Sequence, residues 1–104
     1  MKNEFGTQLD SNGYAPTILC TSASCAICRR SNVHLQRHEV FHGANRTKSK
    51  NYGLWLNVCM DCHALIHRDG DLDRALKRQA QRHAMTVYKW TESDFRKRFG
   101  KNYV

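Results

Sequence analysis

The chain has 104 residues, of which 17 are Lys or Arg and 9 are Asp or Glu, giving a net charge of +8. That length suits one domain, and the charge points to a polyanionic partner such as nucleic acid. With 40% hydrophobic and 25% charged residues the composition is globular; it excludes a disordered chain, and no apolar run is long enough to span a bilayer.

The opening stretch "MKNEFGTQLDSNGYAP" is polar and lacks the apolar segment of a secretory leader, so the expectation is a reduced, cytoplasmic protein. Residues 1–24 are rich in Asn, Gly, Ser and Thr and predict an irregular arm, wrapped on the body through Tyr14 and Ile18. "CAICRR", from Cys25 to Arg30, predicts a tight turn of the zinc-knuckle kind. "VHLQRHEVF", from Val33 to Phe41, has the β-branched and aromatic content of a strand, and "LWLNVC" predicts a second one. Between them, "HGANRTKSKNYG" predicts an exposed basic loop, so the strands would pair as an antiparallel hairpin with a long connection.

After Cys59 the pattern turns helical, and Gly70 in "RDGD" is the expected stop. A second helix is expected from Asp71, with Leu72, Leu76 and Ala80 on the apolar side and Arg74, Lys77, Arg78, Gln81 and Arg82 on the other. "TESD" predicts a third helix start, Thr91 capping and Asp94 reciprocating, after which Phe95 and Phe99 share a face before Gly100. The resulting division is an arm over 1–24, an α+β core over 25–70 and a helical extension over 71–104.

Four of the five cysteines form two Cys-x-x-Cys pairs, Cys25/Cys28 and Cys59/Cys62, separated by 30 residues. Zinc takes four tetrahedral ligands, and such turns supply thiolates to one ion without strain. A hairpin would bring the pairs together as a closed structural Zn²⁺ site, leaving Cys20 over. His63 and His67 are then free for a second task. Four residues apart on a helix, they share a face and can hold one divalent ion, with His38 on the first strand as third ligand. The bland alternative, ordinary surface or core histidines, is weakened by their position directly after a zinc turn.

This order of Cys-x-x-Cys, strand, loop, strand and "C-x-x-C-H-x-x-x-H" on a helix resembles the HNH nuclease family. "HEVFHGANRTKSKNYGLWLNVCMDCHALIH" is similar to small phage and prophage HNH proteins in particular. The resemblance implies a ββα-metal core over about Cys25 to His67 and hydrolysis of DNA phosphodiesters in a bacterial host cell. The catalytic divalent metal would be Mg²⁺, Mn²⁺, Ni²⁺ or Zn²⁺, held by His38, His63 and His67. By that register Glu39 stands where the family has its base histidine, with His42 as a possible substitute, and Leu54 stands near the family's loop-bracing asparagine. Asn45 or Asn57 could take over the bracing. Arg46 and Arg68 would pair with phosphate oxygens, and Arg46, Lys48, Lys50 and Arg68 would contact the nucleic acid backbone.

Two other classes compete. A zinc-braced binding module without turnover would fit the Glu39 and Leu54 departures. A protein that engages a host enzyme would use an aromatic patch of Trp90, Phe95, Phe99 and Tyr103, although phenylalanines at helical spacing belong more naturally to a core.

Overall fold

The computed structural model describes residues 1–20 and 23–104. It is a small α+β arrangement: one two-stranded antiparallel sheet and four α-helices, with the arm laid across them. The strands are β1, Leu35–Glu39, and β2, Trp55–Cys59, paired from Leu35 opposite Cys59 to Glu39 opposite Trp55. The helices are α1, Arg46–Asn51; α2, Met60–Arg68; α3, Gly70–Tyr88; and α4, Glu92–Phe99. Residues 21 and 22 of the expected arm lie outside the described residues. Among the described residues no helix is long and apolar enough to cross a membrane.

β1 is shorter than the pattern suggested. Beyond Glu39 the chain makes one more sheet-like bond, Val40 N–H to the Leu54 carbonyl at 3.1 Å, and then drops Val40 and Phe41 into the core. Their apolar content, which looked like strand, is used for packing.

The segment expected as an exposed loop is instead a 3₁₀ turn over Gly43–Asn45 followed by α1. Ser49 explains the change. It is fully buried, its hydroxyl accepting from Phe41 N–H at 3.1 Å and donating to the Leu54 carbonyl at 2.6 Å. One side chain thus pins both ends of the connection, and the basic residues around it are adequate helix formers. This is the bracing role for which the sequence offers Asn45 or Asn57. Asn45 instead donates to the Phe99 carbonyl at 3.0 Å, and Asn57 contributes its backbone carbonyl to Ala26 N–H at 2.8 Å. Gly53 closes the connection at φ 70°, where a Cβ would sit 2.3 Å from the Pro16 carbonyl oxygen.

Gly70 does not stop a helix; it opens α3. The break falls at Asp69, whose extended backbone ends α2 while its carboxylate accepts from Asp71 and Leu72 N–H, both at 3.1 Å. An aspartate with two free N–H groups ahead of it is a better helix start than a glycine is a stop. Within α3, Leu76, Ala80 and Ala84 are buried as their spacing requires, and so is Gln81, which the sequence put on the polar side. Its amide donates to Asn102 Oδ1 at 3.0 Å and accepts from Tyr103 N–H at 2.6 Å, holding the C-terminal residues against the helix.

Thr91 and Asp94 form the reciprocal cap at 3.0 and 2.9 Å. Phe95 and Phe99 are buried against Phe41, with ring centroids 5.4 and 4.8 Å away. Trp90 is buried too, and Tyr103 is partly buried against the same cluster, so these four rings pack as core. The arm earns its order by backbone bonds: Ala15 N–H to the Lys50 carbonyl and Ile18 N–H to the Gly53 carbonyl, both 3.0 Å. Trp55 Nε1 donates to the Ala15 carbonyl at 2.8 Å, and Phe5 stacks on Tyr88 at 4.6 Å.

Candidate metal centres

The hairpin register delivers Cys59 at the end of β2 beside the turn that carries Cys25 and Cys28. Ala26 N–H bonds the Asn57 carbonyl at 2.8 Å, and Arg29 turns the chain back with φ 68° and an N–H bond of 2.9 Å to the Cys25 carbonyl. Cys59 also caps α2, its sulfur accepting from Cys62 N–H at 3.4 Å. The sulfurs of Cys25, Cys28, Cys59 and Cys62 all lie within 4.8 Å of one another, with Cys28 and Cys59 3.8 Å apart. A tetrahedral zinc with Zn–S bonds of about 2.3 Å requires sulfur separations of about 3.8 Å. The donor set, all thiol and mostly buried, fits a closed metal site.

Their acidities diverge. Burial raises the Cys25 thiol, but backbone N–H donors at Cys28, Cys59 and Ile27 outweigh it and hold the group at about 6. Hydrogen bonding from Arg30 lowers Cys28. Burial and the neighbouring sulfurs push Cys62 up to about 12. Four thiols crowded together cannot all ionise unaided, which is the problem a divalent cation solves. Cys20 is half-buried and lies outside the cluster.

The second cluster lies between the sheet and α2. The ring nitrogens of His38, His63 and His67 are within 4.8 Å of one another, and the ring centroids are 4.8 to 5.5 Å apart. His38 is 2% exposed, and its Nε2 is buried with no hydrogen-bond partner among the described residues. An orphaned buried nitrogen costs about 1–3 kcal/mol, so its persistence calls for a ligand. Burial, then the adjoining His63 and His67, depress the His38 imidazolium to about 4, which leaves the neutral, ligating form at pH 7. Burial followed by His67 also lowers His63.

Gln36 adds a supporting contact that the sequence reading missed. Its amide oxygen lies 2.6 Å from His63 Nδ1. An amide oxygen only accepts, so the proton sits on Nδ1 and Nε2 keeps a lone pair. The signal was available: Gln36 is two residues from His38 and therefore on the same face of β1.

Glu39, next along the strand, turns to the other face. Its Oε1 accepts from Arg46 Nε at 2.5 Å and its Oε2 from the Tyr14 hydroxyl at 3.0 Å. Burial raises this carboxyl, but Arg46 and Tyr14 overcome it and hold it below the usual range. Arg46 remains largely exposed, with both terminal nitrogens outside that bond. His42 stands beside the histidine cluster, its ring 6.3 Å from His38 and 6.1 Å from His67, and its Nε2 is 3.2 Å from Asp73 Oδ1. Asp73 in turn pairs with Lys77 at 2.9 Å.

The expected backbone-contacting residues divide. Arg46 and Arg68 are exposed. Lys48 donates to the Arg98 carbonyl, tying α1 to α4. Lys50 is half-buried, with its ammonium 4.7 Å over the Tyr14 ring. No protein family, curated protein or solved structure gives a significant match to this chain.

Proposed function

We propose that the chain is a metal-dependent endonuclease of the HNH type, hydrolysing DNA phosphodiesters, with the two strands and α2 forming a ββα-metal core. The observation that carries the reading is the buried, unpartnered Nε2 of His38 facing His63 and His67. His38, His63 and His67 would hold the catalytic divalent ion, and Cys25, Cys28, Cys59 and Cys62 a structural Zn²⁺. When bound, the catalytic ion supplies Lewis-acid stabilisation of charge on the phosphate.

The remaining work falls to side chains. Glu39 stands where the base is expected by register, but both its oxygens are engaged by Arg46 and Tyr14. In this reading it seats Arg46, whose planar guanidinium matches two phosphate oxygens. His42 takes the base role. Its Nε2 hydrogen is held by Asp73, so its Nδ1 keeps a lone pair and accepts the proton of the attacking water. Arg46, Arg68 and the net charge of +8 support a DNA partner through sequence-independent contacts.

The test is cleavage of supercoiled plasmid with Mg²⁺, Mn²⁺, Ni²⁺ or EDTA, beside His63→Ala and His42→Ala. Metal-dependent nicking lost in His63→Ala is expected, with the His42→Ala rate down by roughly 10²–10⁴. The Glu39 engagement also favours a second reading, a zinc-braced DNA-binding module. Salt-sensitive DNA binding with no cleavage under any metal would select it.

A further inference from the structure

Among the described residues, Arg30 is the one charged side chain that hydrogen-bonds both halves of the cysteine centre. Its Nε donates to Cys28 Sγ at 3.2 Å, and its Nη2 donates to Cys59 Sγ at 3.2 Å and to Asp61 Oδ2 at 3.3 Å. One guanidinium therefore takes a sulfur from each Cys-x-x-Cys turn. The turn itself presents it, because Cys25 N–H bonds the Arg30 carbonyl at 2.9 Å and Arg29 reverses the chain just before it. The planar fork of arginine lets one side chain reach two sulfurs at once.

The chemistry gives this contact a task. Four thiolates around one divalent cation carry a net charge of −2, and each thiolate left without hydrogen bonds is open to protons and competing ligands. N–H···S bonds draw electron density from sulfur and lower its reactivity. Cys28 is the exposed member of the four, so attack on the centre begins there. The ion pair with Asp61 adds little, since both side chains are more than half exposed. The contacts to sulfur are the ones that matter.

We propose that Arg30 is a positioning residue for the four-cysteine centre, governing how fast its metal is released by neutralising and bridging Cys28 and Cys59. The inference rests on the four cysteines holding zinc and is independent of the nuclease reading.

The experiment measures zinc content and then the rate of zinc transfer from intact protein to excess 4-(2-pyridylazo)resorcinol. Wild type is compared with Arg30→Ala, Arg30→Gln and the charge-matched control Arg96→Ala, an exposed residue on α4. Wild type and the control should hold one zinc and release it at the same slow rate. The Arg30 variants should release it at least about tenfold faster, the equivalent of one charge-assisted hydrogen bond. Should Arg30→Ala fail to fold, Arg30→Gln decides, since it keeps the size and loses the charge. Arg30 variants isolated without zinc beside a fully loaded control would be the limiting form of the same result. Release from Arg30→Gln at the wild-type rate overturns the proposal while leaving the zinc site standing. A wild-type protein without zinc overturns both.

Discussion

Removing the Ser49 hydroxyl tests why the connection between the strands is ordered. In Ser49→Ala the Leu54 carbonyl keeps its bond from Val40 N–H, but the Phe41 N–H loses the only acceptor it has among the described residues. The site is fully buried, so water cannot replace the hydroxyl. Stranding one buried N–H costs about 1–3 kcal/mol, and the lost bond to Leu54 adds about 1 kcal/mol, for a total near 3 kcal/mol. In a domain of this size about 1 kcal/mol moves Tm by roughly 4–5 °C, so the midpoint should fall by roughly 14 °C. Thermal unfolding followed by circular dichroism, with the exposed Thr47→Ala as control, reads the difference directly. A shift under about 3 °C would mean that α1 is held by its own helix propensity and that Ser49 braces nothing.

Two further outcomes follow from local geometry. Gly53→Ala puts a methyl into the Pro16 carbonyl at a left-handed backbone position, so it should cost about 2 kcal/mol or more in chemical denaturation, where Gly43→Ala, with open space around it, costs less. Glu4 is held at about 2 first by the hydrogen bonds from Arg98 at 2.8 Å. Because the unfolded chain binds this proton more readily, the clasp contributes fully above pH 4.5 and is lost as pH falls towards 2. Glu4 is partly exposed, so screening leaves about 1 kcal/mol. The stability gap between wild type and Glu4→Gln, measured by urea midpoints, should be constant from pH 7 to 5 and shrink below that; a gap independent of pH would remove the clasp.

The parts of the architecture written in short-range chemistry were legible beforehand. The two Cys-x-x-Cys turns, the His63/His67 face of α2 and the Thr91 cap each depend on residues a few positions apart, and the antiparallel pairing, which spans further, shows in two strand-like runs. What escaped the reading depends mostly on which side chains meet once the chain has folded. Ser49 looks like any polar loop residue until Phe41 and Leu54 flank it. Gln81 reads as solvent-facing until Asn102 and Tyr103 return to it. Glu39 resembles a base by register alone, and only the arm's Tyr14 and the first residue of α1, Arg46, reveal that both its oxygens are taken. Asp69 was hidden by the glycine beside it, since a glycine near a helix end has two readings and an aspartate before free N–H groups has one.

The measurement that bears most directly on the account is calorimetric titration of Ni²⁺ or Mn²⁺ into zinc-loaded protein, for wild type and His63→Ala. The account predicts one further ion per wild-type chain, bound at the histidines with zinc content unchanged, and none in His63→Ala. Saturation by zinc alone, or equal binding to both proteins, would contradict it.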